Sequence, residues 1–325
     1  MSEQSYRLAS YTVAGGRPRA GIVVDERVID VGALGLTGLG SAIDDAVAVL
    51  DVLNAWREVH PQLQRAARGM RSGDAPAATL RLAGVTLKAP VLFPGTIFCA
   101  GANYKDHVAE MSRALNLPTE PDPHAAGLKP WHFIKPAASC IRGTGETIEL
   151  PAYSKKVDWE AEIAIVIGRA CRNVSIERAL DYVAGLSIVN DLSARDHLRR
   201  AGVAIESPFH FDWVSQKSFE GALPFGPWIV PLEDLGDPGA LGIKLWVNDE
   251  LMQDSSSSNL IFSMSEQISH LSTRLTLRPG DVIATGTPAG CGSARGQFLK
   301  AGDHVRLWVE GIGELANDFS GDSAS

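Results

Sequence analysis

VDWEAEIAIVIG, residues 157–168, alternates along much of its length. Trp159, Ala161, Ile163, Ile165 and Ile167 fall on one side, and Asp158, Glu160 and Glu162 on the other. Beyond Glu162 the acidic side continues as Ala164, Val166 and Gly168, so the strand turns apolar on both faces. Taken singly, an E-x-E face of this kind also reads as the solvated face of an edge strand. Two carboxylates about 6–7 Å apart on one face repel by roughly 2–3 kcal/mol at an effective dielectric of about 20. A half-buried acidic cluster of this kind requires a cation.

Around this segment the pattern is strand, turn, strand. The 325 residues hold 32 glycines and 18 prolines, scattered as turn markers rather than clustered. Residues 5–31 read as a small antiparallel sheet. Ile43, Val47, Leu50 and Leu53 recur at helical spacing over 42–57, and Pro61 can open a second helix to about 70. The small, polar stretch 71–84 is the linker candidate, which divides the chain into 1–85 and 86–325. In the second part Ser175 can cap a helix through Ala184, and Ser263 with Glu266 forms a capping box for another. Ser255–Ser258 reads as a solvated loop. Strands do not alternate regularly with long helices, so the expected class is α+β, mainly β, and not a doubly wound sheet or TIM barrel.

Composition excludes several function classes. Hydrophobic residues at 45% and charged residues at 21% are globular values. A net charge of −8 without clustered Lys or Arg argues against a nucleic-acid or anionic-membrane surface. No run approaches the ~18 apolar residues of a membrane span, and the N-terminus carries no signal-peptide stretch. The four cysteines are far apart, without C-x-x-C spacing. A reduced, cytoplasmic protein is expected.

A third acid ends the apolar run Leu186–Asn190: Asp191. With Glu160 and Glu162 it makes an all-carboxylate set, suited to a hard ion such as Mg²⁺ or Mn²⁺ before Zn²⁺. In GANYKDHVAEM, 101–111, a glycine-led turn opens a short helix that puts His107 and Glu110 at i, i+3 on one face. An imidazole held by a carboxylate is a ready general base. Lys217 and Thr287, taken singly, read as a surface lysine and a turn threonine, and Gly286-Thr287-Pro288 lacks the surroundings of a phosphate loop.

Taken together and in order, these segments resemble the fumarylacetoacetate hydrolase family. The resemblance rests on G-x-N-Y-x-x-H-x-x-E at 101–110, F-x-K-P at 133–136, D-W-E-A-E-I-A-x-V-I-G at 158–168 and N-D-x-S-A-R-D at 190–196. It continues through K-S-F at 217–219, G-P at 226–227, P-G-D-V-I-x-T-G-T-P-A-G at 279–290 and G-D-x-V at 302–305. It implies a catalytic domain of the mixed β-sandwich roll type behind a small N-terminal α+β domain, in a homodimer. Glu160, Glu162 and Asp191 fall on its metal-ligand positions, with Mg²⁺ expected and Mn²⁺ or Ca²⁺ as alternatives. His107 and Glu110 fall on its catalytic pair and Lys217 on the lysine near the metal. Arg195 and Thr287 fall on substrate-contacting positions.

The activity so implied is metal-dependent C–C bond hydrolysis of an acylpyruvate-like or other 2,4-diketo acid, a catabolic reaction. The same site would serve a 2-oxo acid decarboxylase, a keto–enol isomerase or a lyase. A reading of another class is a catalytically silent small-molecule-binding protein on this fold. Leu198 stands where the fumarylacetoacetate enzyme itself carries glutamine, which argues against that substrate. Residues 194–216 are the expected source of specificity. Residues 105–132 are expected to form a lid, stiffened by Pro118, Pro121 and Pro123, with Leu115 and Leu117 beneath and Arg113, Glu120 and Asp122 toward solvent.

Overall fold

The computed structural model describes residues 5–39, 46–73, 79–114, 116, 118 and 121–321. Leu115, Leu117 and Glu120 of the expected lid lie outside them. The strand Ala161–Ile167 is buried at every position, as its two apolar faces require. It pairs antiparallel with Val183–Asn190 on one side and Val282–Ala284 on the other. These strands are the centre of a twelve-stranded mixed sheet. Leu223–Pro231 and then Arg7–Thr12 extend it in one direction, and Ile97–Ala100 and His132–Lys135 in the other. A five-stranded sheet built on Gly242–Val247, His304–Val309 and Gly313–Ser320 packs across Ala161–Ile167 and Val183–Asn190. The architecture is α+β, mainly β, with the core between these layers.

The N-terminal strands are part of the large sheet, because Leu8 pairs with Ile229. Two helices, Val49–Asn54 and Trp56–Ser72, cover Arg19–Val24 with Val52, Leu53, Val59, Leu63, Ala67 and Met70 inward. The second helix starts five residues before Pro61, which lies inside it. Only one carbonyl bond, to Arg57, is forfeited so close to the helix start. The linker candidate is largely ordered: its first residues close this helix at Ser72, and Thr79–Arg81 forms a strand against Arg27–Asp30, while 74–78 lie outside the described residues. The division at 85/86 stays a proposal; strand Thr86–Lys88, just past it, pairs back onto Arg7–Thr12.

The capping box forms as expected: Ser263 Oγ accepts the Glu266 N–H, the Glu266 carboxylate accepts the Ser263 N–H, and helix Met264–Arg274 follows. The helix expected after Ser175 is a 3₁₀ segment, Ile176–Tyr182, and Val183 already belongs to the next strand. Sheet pairing of β-branched Val183 overrides its helical phase. The Ser255–Ser258 run is not a solvated loop. It closes strand Glu250–Ser256, Ser257 is buried, and Ser255 Oγ donates to Asp106 Oδ2 at 2.5 Å, anchoring helix Lys105–Ala114.

His132, on the last strand of the large sheet, carries a stability signature. Both its ring nitrogens are buried and have no hydrogen-bond partner among the described residues. Burial pushes its pKa down to about 4; Gln267 opposes the shift and His270 adds to it. The folded state therefore holds a neutral ring that the unfolded chain protonates below about pH 6.5. Stability from this group is complete above about 6.5, drains as pH falls toward about 4, and amounts to about 3 kcal/mol. Chemical denaturation from pH 7 to 4 should show that loss, and His132→Phe should flatten it; an unchanged slope in the variant would contradict the assignment.

Candidate active site

The three acids expected from sequence converge. One carboxylate oxygen from each of Glu160, Glu162 and Asp191 lies within 4.8 Å of the others, and all three residues are buried. Backbone pairing does this. Ala161 opposes Asn190, so Asp191 directly follows the partner strand, and its N–H donates to Glu160 O at 2.9 Å. The Glu160 N–H donates to Asn190 Oδ1 at 2.9 Å, which fixes the residue just outside the strand. Glu162 Oε2 accepts the Gly286 N–H at 2.7 Å. Gly286 has φ +99°, and a Cβ there would stand 2.8 Å from Asn103 Cβ, so this close approach requires glycine.

Cations surround the triad. Lys217 Nζ reaches Glu160 Oε2 at 2.8 Å and Asp191 Oδ2 at 2.7 Å. Lys135, also buried, stands 2.5 Å from Asp191 Oδ1, but it donates to Leu192 O and Ala222 O. Among the described residues Asp191 Oδ1 thus has a charge contact and no hydrogen-bond partner. Arg195 pairs with Asp158 Oδ2 at 2.8 Å and Glu160 Oε1 at 2.5 Å. Four carboxylates, Asp158 included, meet three cations. Burial would raise Glu160, but Lys217 and Arg195 overrule it and hold the carboxyl at about 2. Among the described residues Glu162 has no ion pair, and burial, then Asp191 and Glu160, push it well above the carboxylate range against the pull of Lys217. A compact set of hard oxygens with an excess acid and an unbonded buried oxygen fits a divalent ion.

His107 sits beside this cluster on helix Lys105–Ala114. Its Nδ1 is 3.9 Å from the buried Cys291 Sγ. Burial lowers its pKa, Glu160 and Glu110 pull it back, and Arg195 lowers it further. Glu110 Oε2 accepts the Gly290 N–H at 2.7 Å, and its charge rather than a direct hydrogen bond bears on His107. Gly290 has φ +103°, and a Cβ there would fall 2.0 Å from Met252 O. Thr287 Oγ1 accepts from Gln253 Nε2 at 2.9 Å, which leaves its own O–H free to donate. The described structure therefore brings together every candidate side chain around one cluster.

Four contributors were not assigned roles from sequence. Lys135 lay in the F-x-K-P run, and Asp158 lay on the acidic face. Asp158 both holds Arg195 and accepts the Gly292 and Ser293 N–H groups at 2.7 and 3.0 Å. Gln253 also accepts the Ala161 N–H at 2.9 Å, tying the triad strand to Thr287. Gln253 and Cys291 carried no signal, since only folding brings them to His107 and Thr287.

The family pattern for the fumarylacetoacetate (FAA) hydrolase C-terminal region matches residues 96–320. The chain belongs to the fumarylacetoacetate hydrolase family. The maleylpyruvate hydrolase of Sphingobium sp. SYK-6, solved with manganese(II) and pyruvate, superposes with a TM-score of 0.73 at 29% identity, covering 97% of this chain and 99% of that one. The fumarylacetoacetate hydrolase of the psychrophile Exiguobacterium antarcticum gives 0.73 at 32% identity, with the same coverage. The mitochondrial oxaloacetate tautomerase fahd2 of Xenopus laevis is 36% identical over 247 residues, 75% of this chain and 71% of that protein. Members of the family thus include hydrolases and a tautomerase. Among the described residues no helix is long and apolar enough to cross a membrane.

Proposed function

We propose that this protein is a divalent-metal-dependent hydrolase that cleaves a C–C bond in an acylpyruvate or related 2,4-diketo acid. The observation that carries this reading is the buried Glu160–Glu162–Asp191 triad beside an imidazole whose pKa is lowered by burial. Glu160, Glu162 and Asp191 would hold Mg²⁺, with Mn²⁺ or Ca²⁺ as substitutes, and the bound ion would supply Lewis acidity at the 2-oxo acid end of the substrate. His107 takes a proton from water, and Glu110, fixed by Gly290, favours the imidazolium so formed. The hydroxide forms a C–O bond at the acyl carbonyl. The bond from that carbon to the methylene then breaks, its electron pair passes to the pyruvate fragment as an enolate, and the former methylene carbon takes back the proton held by His107. Lys217 and the Thr287 hydroxyl oppose the developing negative charge. The exposed edge of Arg195, whose side chain is 21% accessible, can donate to a substrate oxygen while its charge stays committed to Asp158 and Glu160.

The setting we propose is a cytoplasmic homodimer; the four free, buried thiols suit a reducing compartment. A second reading, keto–enol isomerisation, is favoured by the 36% identity to an oxaloacetate tautomerase. Acetylpyruvate supplied with the protein and Mg²⁺ separates the two. Acetate and pyruvate in equal amounts, lost on adding EDTA, are expected. Released CO₂, or a changed keto–enol ratio without products, would replace hydrolysis by decarboxylation or isomerisation.

A further inference from the structure

Lys217, which bridges Glu160 and Asp191, also lies over an aromatic face: its Nζ is 4.8 Å from the Phe133 ring centre. Phe133 stacks on Trp213 at 5.5 Å and 21°, and Trp213 meets Trp131 edge-on at 5.5 Å. The two tryptophans are only partly covered, at 39% and 46% exposure. Trp131 lies so close over Gly101 that a Cβ there would fall 1.9 Å from its ring. A wall of three rings therefore leads outward from the metal cluster. Its outermost member lines a cavity of about 1120 Å³ whose other walls include Val108, Leu128 and Phe262 together with Lys105, Arg113 and Lys129.

Resting on the acylpyruvate reading above, we propose that the acyl part of the substrate is a planar aryl or conjugated group laid along Phe133, Trp213 and Trp131, not a short alkyl chain. The wall carries this. Three rings in contact, two of them partly exposed, offer stacking and hydrophobic surface from Lys217 outward that a methyl group would leave uncovered.

Binding and turnover test this separately. In the presence of Mg²⁺ the His107→Ala variant, which holds diketo acids without cleaving them quickly, binds benzoylpyruvate at least tenfold more tightly than acetylpyruvate by calorimetry. The wild-type protein cleaves benzoylpyruvate to benzoate and pyruvate with a kcat/KM at least tenfold above that for acetylpyruvate, the gain lying in KM. Trp213→Ala, and independently Trp131→Leu, reduce that ratio to within about threefold by raising the KM for benzoylpyruvate. Equal affinity for the two compounds, or a ratio that survives both substitutions, overturns the proposal. Failure of the wild-type protein to cleave either compound overturns the hydrolase reading instead, and the binding ratio still decides the wall.

Discussion

His107→Ala is expected to lower kcat by about 10²–10⁴-fold, the size of a general-base contribution. The ring stands at the edge of the acidic cluster on a helix anchored by the Ser255–Asp106 bond, so its removal leaves that anchor and the triad intact. Affinity for Mn²⁺, read by electron paramagnetic resonance, should therefore hold while turnover collapses. The wild-type rate should fall as pH drops through a value below the ordinary histidine pKa. Burial lowers the ring's pKa first, and a bound divalent cation acts in the same direction. The neutral ring is the active form, so activity should extend to lower pH than an exposed histidine would allow. Near-normal hydrolysis by the variant would remove His107 as the base and turn attention to enolate chemistry that needs none.

Asp191→Ala should be the most damaging substitution in the cluster. It strips Lys135 of its one carboxylate and Lys217 of one of two. Removing one partner from a buried ion pair costs about 3–5 kcal/mol, because the charge left behind stays desolvated. Urea denaturation in EDTA should show that loss, with no saturable Mn²⁺ binding by the variant. Asp191→Asn keeps the shape and an acceptor for one of the two lysines, with an NH2 group facing the other, so it should recover part of the stability and none of the metal affinity. Wild-type Mn²⁺ affinity in either variant would place the ion elsewhere.

Much of the candidate site was legible along the chain because its acids follow local rules. Glu160 and Glu162 stand at i, i+2 beside a doubly apolar run, and Asp191 ends another such run, so the sequence alone marked them as acids driven toward the interior. The same alternation, with turn residues spaced between short strands, determined a mainly β protein, and the Ser263–Glu266 capping box determined where a helix begins. Tertiary structure decided what balances those acids and what lies beside them. Lys135 and Lys217 meet the two oxygens of Asp191 only after distant segments close on the sheet, and a lysine carries no mark of burial in its neighbours along the chain. Pairing of Leu8 with Ile229 joined the N-terminal strands to the large sheet, a partnership set by edge availability and not by local pattern. Cys291 beside His107, and Trp131 and Trp213 against Phe133, are likewise contacts between segments far apart in sequence, because side-chain packing depends on surfaces that exist only in the folded chain.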